Sequence, residues 1–188
     1  LLFDLPLPTA LGALLGAGAA GLFVGMVAGY FRRRMIRVLE PAFGHVLAGF
    51  LSLALALVTG LVQLAVPGVS YRSWIVYAQL TLLGWLVLFI VGVWYRLLPF
   101  LIWLHFYRPG PGGQAPAPAE LVHRGTAWVT LLLMAGGIAA LVSGSALGSA
   151  PATRAGAVGF LAGSVLVAGQ YLRIYAGRAG AQPTPALP

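Results

Sequence analysis

The strongest candidates for chemistry in this chain are its three histidines, His45, His105 and His123. Each lies where an apolar stretch begins or ends, so imidazoles from adjacent helix ends could converge on one metal ion or one haem. No pair shows a metal-ligand spacing, and Arg124 places a cation beside His123. We therefore favour the alternative, in which each histidine lies at a membrane interface, hydrogen-bonded to a lipid headgroup or a helix cap.

Other reactive groups are scarce. The chain has no cysteine, which excludes disulfides, thiolate metal sites and iron–sulfur ligation. Its three carboxylates, Asp4, Glu40 and Glu120, all fall outside the predicted spans, so a proton relay of the pump type lacks its usual parts. No nucleophile–base pair, phosphate-binding loop or acidic metal site is evident. The sequence therefore does not indicate an enzyme.

The composition is that of a membrane protein. Hydrophobic residues make up 60% of the 188 residues, charged residues only 7%, and the mean hydropathy is +0.95. A soluble domain carries about 25% charged residues. A net charge of +8 could suggest nucleic-acid binding, but the arginines fall between apolar runs, where they set membrane orientation. We expect the lipid bilayer, and not nucleic acid, to be the surrounding partner.

Five apolar stretches are about as long as a membrane-spanning helix requires. They predict an all-α, polytopic transmembrane bundle over residues 1–178, followed by a flexible tail at 179–188. Arg96 and Pro99 interrupt the long third stretch, which predicts a span ending near Trp94 and then a kinked extension at the interface. The predicted spans are 8–31, 43–66, 74–94 with its extension to 107, 126–147 and 155–174.

The arginines predict the orientation. Nine of them lie beside the ends of the first, third and fifth predicted spans, and only Arg72 and Arg154 lie on the opposite side. Positive residues concentrate on the cytoplasmic side. We therefore expect a bacterial inner-membrane protein whose N-terminus is outside and whose C-terminus is cytoplasmic.

Small and polar residues predict how the helices pack. Glycines four or five apart in the first helix predict one small-residue stripe, which favours packing inside the bundle over a subunit interface. These are Gly12, Gly16, Gly21, Gly25 and Gly29. The fourth helix (Gly136, Gly137, Gly144, Gly148) and the fifth (Gly156, Gly159, Gly163) are similar. Lone polar residues in apolar helices predict interhelical hydrogen bonds; they are Gln63, Gln170, Ser52, Thr59, Ser143 and Ser164.

One segment, residues 77–99, resembles the haem-bearing tenth helix of subunit I in the C-type haem-copper oxidases, and equally the membrane proteins related to that subunit. In that family the helix opens with His-x-His, and glycine and aromatic residues follow in register. The matching positions here are Gly84, Trp85, Gly92, Tyr95 and Pro99. The family's histidines, which face two different haems, fall at Tyr77 and Gln79. The resemblance therefore implies a scaffold without its haem ligands.

Three functional hypotheses follow. The leading one is a non-catalytic integral membrane subunit or scaffold of a respiratory or other electron-transfer complex, with other membrane subunits as partners and no cofactor of its own. The alternative is a haem-b-binding redox protein that uses His45, His105 or His123. The third is a small transporter, which would need a polar path that isolated Gln, Ser and Thr residues do not provide.

Overall fold

The computed structural model describes residues 7–32, 40–66, 68–106 and 118–176, and within these ranges it is helical with no strand. The predicted all-α bundle is confirmed. The helices are α1 (Leu7–Arg32), α2 (Pro41–Ala65), α3 (Tyr71–Ala78), α4 (Leu88–Phe106), α5 (Arg124–Leu147) and α6 (Ala150–Ala176). The π-helical segment Gln79–Val87 joins α3 to α4, so these three form one continuous rod, called here the long helix. The tail predicted at 179–188 lies outside the described residues.

Four helices of the described chain are long and apolar enough to cross a membrane: Pro41–Ala65, Tyr71–His105, Arg124–Leu147 and Ala150–Ala176. The apolar stretch described in α1, Leu14–Gly29, is shorter. Large apolar side chains such as Leu132, Leu147 and Leu172 are mostly exposed, as expected where the surrounding solvent is lipid. Four candidate spans are therefore shown, and a fifth crossing by α1 stays a prediction.

Local sequence signals place the helix ends. Pro41 occupies the first turn of α2, where its missing N–H has no partner in any case. Gly148 ends α5 in the left-handed conformation, with φ 69°, and the backbone N–H of Ser149 donates to the Gly144 carbonyl at 2.8 Å. This αL turn lets α6 start at Ala150. Helices α5 and α6 are therefore antiparallel neighbours joined by a very short link.

The helix is unbroken near Arg96 and Pro99, and the kinked extension at the interface stays a prediction. The long helix continues through both residues to Phe106, with Pro99 inside α4. A proline removes one backbone donor, and membrane helices tolerate that loss where neighbouring helices and local adjustments satisfy the freed carbonyl. The irregularity lies instead at Gln79–Val87, where the helix is π-helical over nine residues. Such stretches are rare and widen the helix locally.

The tightest packing in the bundle joins α5 to α6 through glycines. A Cβ placed on Gly137 would lie 2.5 Å from the Phe160 nitrogen, and one on Gly144 would lie 2.5 Å from the Thr153 nitrogen. A Cβ on Gly163 would lie 2.5 Å from Cγ of Met134. Backbones can approach this closely only where side chains are absent. The small-residue packing predicted for these two helices is confirmed at Gly137, Gly144, Gly156 and Gly163, but a Cβ on Gly136 would meet no atom within 4 Å.

The same prediction is wrong for α1. A Cβ on Gly12, Gly16, Gly21, Gly25 or Gly29 would meet no atom within 4 Å. A helix turns about 100° per residue, so the five-residue step from Gly16 to Gly21 rotates the position by about 140°. The glycines therefore lie on two faces and not in one stripe. Gly12 and Gly16 line a groove of about 600 Å³ between α1, α2 and the long helix.

The core lies where α2, α4, α5 and α6 meet. Its largest fully buried side chains are Leu88, Met134, His45 and Thr130. Two of these four are polar, which is unusual because a polar group in an apolar interior must find a hydrogen-bond partner or carry a desolvation cost. The buried polar residues of this core are therefore the strongest candidates for a functional site.

Candidate functional site

His45 is one of two polar residues in the described chain with no exposed surface, the other being Thr130. Its Nδ1 lies 2.9 Å from the carbonyl oxygen of Pro41. Since a carbonyl can only accept, Nδ1 carries the proton and Nε2 of the neutral ring keeps its lone pair. Nε2 is buried and has no hydrogen-bond partner among the described residues. An imidazole oriented in this way presents a metal-ligating nitrogen, as metal-bound histidines commonly do.

The prediction that His45 bonds to a lipid headgroup is wrong, because its ring has no exposed surface; its depth in the membrane stays a prediction. Hydropathy places it at the edge of an apolar run, but its neighbours Pro41 and Ala42 are also buried. The start of α2 is packed inside the bundle: a Cβ on Gly44 would meet the Trp128 ring at 3.4 Å. The His45 ring packs against the ring of Tyr95 on the long helix, at a centroid distance of 5.1 Å and an interplanar angle of 39°.

Tyr95 begins a chain of hydrogen bonds that ties α4 to α6 and to the start of α5. Its hydroxyl donates to Oε1 of Gln170 at 3.1 Å. The amide nitrogen of Gln170 in turn donates to the backbone carbonyl of His123 at 3.2 Å. Both side chains are buried. The interhelical role predicted for Gln170 is confirmed, and the participation of Tyr95 was not foreseen.

Gln63 also forms the predicted interhelical bond, donating from Nε2 to Oγ of Ser73 at 2.9 Å. The interhelical prediction is wrong for the four hydroxyl residues, because each donates to the carbonyl four residues earlier in its own helix. These residues are Ser52, Thr59, Ser143 and Ser164. A short hydroxyl side chain reaches its own backbone before it reaches another helix.

The other two histidines occupy exposed positions. His123 caps α5, its Nδ1 accepting from the backbone N–H of Thr126 at 3.2 Å, which matches the cap role favoured from the sequence. His105 lies near the end of α4 and is exposed. Within the described residues no group of three or more His, Cys, Asp or Glu side chains could hold a metal ion. The convergence of three imidazoles is therefore not found there.

A haem held by His45 alone does not fit the observed packing. A porphyrin needs open space on the Nε2 side of the ring, yet His45 has no exposed surface. His45 does not line the groove beside α1, the cavity at the starts of α2 and α5, or the cavity beside Gly92. The Tyr95 ring lies against the imidazole. For a haem to bind here, the Tyr95 ring and the helices around it would have to move away from His45.

Tyr77 and Gln79, the positions of the family's ligands, face different neighbours, as residues two apart on a helix should. A Cβ on Gly60 of α2 would lie 3.2 Å from the Tyr77 ring. Gln79 opens the π-helical segment, and its Nε2 donates to Oγ of Ser145 on α5 at 2.9 Å. The phenol therefore packs on α2, while the amide bonds to α5.

The other matching positions also serve packing. A Cβ on Gly84 would lie 2.6 Å from Cβ of Ser52, and one on Gly92 would lie 2.9 Å from the Ala42 carbonyl oxygen. These two glycines let α2 approach the long helix closely. Pro99 is buried and lines a cavity near the start of α5. Gly84 and Gly92 therefore serve helix packing.

Arg96 has a partner that the sequence did not indicate. Its guanidinium lies 3.4 Å from a carboxylate oxygen of Glu40. The Arg96 guanidinium carbon also lies over the Phe43 ring, 5.6 Å from its centre. Both charged side chains of the pair remain about half exposed or more, at 66% and 48%.

Three buried polar atoms besides His45 Nε2 have no hydrogen-bond partner within the described residues. They are the Tyr171 hydroxyl, Oε1 of Gln79 and Nε1 of Trp103. The Tyr171 ring lies 5.8 Å from that of Tyr95, centre to centre. A tyrosine in the last turns of an apolar helix is typical of the membrane interface, so its type and position gave no signal of burial.

In these contacts, the polar and aromatic side chains that could carry chemistry join one helix to another. Comparison with known proteins adds no family assignment: no family model matches the chain, and no curated protein or solved structure is significantly similar to it.

Proposed function

We propose that this chain is a non-catalytic integral membrane subunit of an electron-transfer complex in a bacterial inner membrane. In this role it supplies a helical framework with the register of the haem-bearing oxidase helix but without a haem of its own. Redox centres then belong to neighbouring subunits. The orientation of the proposed subunit, N-terminus outside and C-terminus cytoplasmic, rests on the distribution of its arginines.

The observation that carries this proposal is the use of the two ligand positions for packing. Tyr77 lies against Gly60 and Gln79 bonds to Ser145, so both side chains stabilise helix contacts. An amide is a poor ligand for iron, and a tyrosine ligates haem only in a minority of haem proteins. The resemblance of residues 77–99 supports an electron-transfer setting, and these contacts support a structural role within it.

The face of α1 that carries Gly21 and Gly25 supports membership of a larger assembly. Neither glycine lines the groove against α2 and the long helix, and a Cβ on either would meet no atom within 4 Å. In lipid, a helix face of small residues gains dispersion contacts when another helix packs closely on it. We therefore propose that a helix of a neighbouring subunit covers this face.

Site-directed cross-linking tests this contact cleanly because the chain contains no cysteine. A Gly25→Cys variant, labelled with a benzophenone maleimide in native membranes and irradiated, is expected to yield one discrete adduct with a second polypeptide. That polypeptide should belong to a complex with a redox spectrum. A single adduct is expected because the label lies on the face of α1 that the described chain leaves uncovered.

The matched control is Met26→Cys, one residue further along α1 and about 100° around the helix. Met26 is 75% exposed and should react with the maleimide but give mainly lipid adducts. Equal cross-linking at the two positions would contradict a specific helix contact. Recovery of the chain from native membranes as a lone monomer would contradict its role as a subunit.

A haem-b-binding redox protein is the competing proposal, and one observation favours it. The His45 imidazole is held with Nε2 free of any hydrogen-bond partner in the described structure, which is the state that a haem ligand requires. The packing of Tyr95 against this ring argues for the subunit role instead. An absorption spectrum separates the two.

A further inference from the structure

A second cavity, of about 550 Å³, opens at the end of the bundle where α2 and α5 begin. It lies between those two helix starts and the middle of α4. Its lining includes Glu40, Ala42, Tyr95, Arg96, Phe100 and Arg124. Because Pro41–Ala65 and Arg124–Leu147 are both candidate membrane spans, a cavity at their first turns falls at the depth of lipid headgroups.

The charges that line this cavity favour an anion. Arg96 and Arg124 contribute two positive charges and Glu40 one negative charge, which leaves a net charge of +1. The Arg96–Glu40 contact is 3.4 Å long and largely exposed, and such pairs are weak. A stronger anion can therefore recruit Arg96. Guanidinium groups suit phosphate in particular, because two of their N–H groups bind two of its oxygens at once.

The same cavity also has an apolar wall. Phe100 is 48% exposed, while Pro99 and Ala127, which also line the cavity, are buried. An amphiphile fits both features, the two arginines at the polar mouth and the apolar wall along α4. Its anionic group would lie at the mouth and its hydrocarbon along Phe100. A free anion would not contact the apolar wall.

We propose that this cavity binds an anionic phospholipid, with Arg96 and Arg124 contacting its phosphate and Phe100 contacting the first part of an acyl chain. Glu40 opposes this binding, because it competes for Arg96 and repels the phosphate. The proposal does not rest on the electron-transfer role, since Arg96, Arg124 and Phe100 are not matching positions of the resembled helix.

Native mass spectrometry of the full 188-residue chain in detergent, titrated with phosphatidylglycerol, tests the site. Each of Arg96→Gln and Arg124→Gln is expected to weaken binding about fivefold, and the double variant should bind more weakly than either single variant. Arg154→Gln is the matched control: it removes an exposed arginine of α6 that does not line this cavity, and it should bind like the unmodified chain.

The Glu40→Gln variant gives a result of opposite sign. Glu40 makes no side-chain cap bond to α2, so its neutralisation should leave the helix intact and strengthen phosphatidylglycerol binding about fivefold. A general loss of fold cannot produce this increase. Weaker binding by Glu40→Gln, or equal weakening by Arg154→Gln and Arg124→Gln, would overturn the proposal.

Two further arms identify the source of the phosphate. Phosphatidylcholine, whose headgroup has no net charge, should bind more weakly than phosphatidylglycerol and respond little to the arginine substitutions. Millimolar inorganic phosphate should not displace phosphatidylglycerol. Displacement by inorganic phosphate would assign the site to a soluble anion, and equal binding of phosphatidylcholine would remove the role of charge; either result overturns the lipid assignment.

Discussion

Substitution of Gly156 by alanine is expected to lower the free energy of unfolding of the bundle by about 3 kcal/mol, the upper range for overpacking a closely packed interface. A Cβ on Gly156 would lie 2.6 Å from the Gly137 carbonyl oxygen and would also press on the Leu141 nitrogen. Both obstacles are backbone atoms, which cannot rotate away as a side chain could. Helices α5 and α6 must therefore separate, and this interface is the closest in the fold.

The measurement is equilibrium unfolding in mixed micelles, followed by circular dichroism, with Gly169→Ala as the matched control. The control makes the same change on the same helix at a position with no atom within 4 Å of the added Cβ. Alanine is the better helix former by about 1 kcal/mol, so the control should be neutral or slightly stabilising. Similar stability of the two variants would show that α5 and α6 do not meet as described.

The second large effect is expected at His45. Its removal in His45→Ala takes away a fully buried ring, its contact with Tyr95 and its bond to the Pro41 carbonyl. Truncations of large buried side chains cost about 2–5 kcal/mol because the cavity left behind is not refilled. We expect a loss of about 3 kcal/mol in the free energy of unfolding, measured by the same unfolding experiment.

His45→Phe distinguishes packing from ligation. It keeps a flat ring of similar size and removes Nε2, which has no partner within the described residues, so the cost of burying that nitrogen disappears. If His45 serves packing, His45→Phe should recover more than half of the stability lost in His45→Ala. If His45→Phe is as unstable as His45→Ala, the imidazole nitrogens carry a role that packing does not explain.

Much of the fold follows from composition and hydropathy. Runs of about 20 apolar residues require helices in lipid, because only intrahelical bonds satisfy the backbone there. The position of Pro41 and the turn at Gly148 then set where α2 starts and α5 ends. Glycines at a spacing of three or four in α6 indicate close approach, and Gly156 and Gly163 show it.

The features that the sequence did not predict depend on rotation and on neighbours. The glycines of α1 lie on two faces because the step from Gly16 to Gly21 is five residues. A count of spacings alone does not show this rotation. The π-helical segment Gln79–Val87 has the same apolar composition as the α-helical turns beside it. The burial of His45 depends on how deeply α2 starts inside the bundle, which no local pattern of residues specifies.

The candidate site was the hardest part to predict. Tyr95 was identified only as a matching position of the resembled helix, yet it contacts His45 and donates to Gln170. The partners lie 50 and 75 residues away along the chain, and one sequence carries no information on which distant side chains meet. The cavity at Arg124 arises from two helix starts and the middle of a third helix, a juxtaposition that exists only in the folded bundle.

We propose that this chain holds no haem of its own and serves as a framework for a complex that contains haem in other subunits. The most direct measurement compares two absorption spectra, that of the native complex and that of the chain after its separation from the complex. Both samples are isolated from cells with ample haem. We predict that the complex shows a Soret band and that the separated, folded chain does not. A Soret band that stays with the chain and is lost in His45→Ala would contradict the claim and establish a haem protein instead.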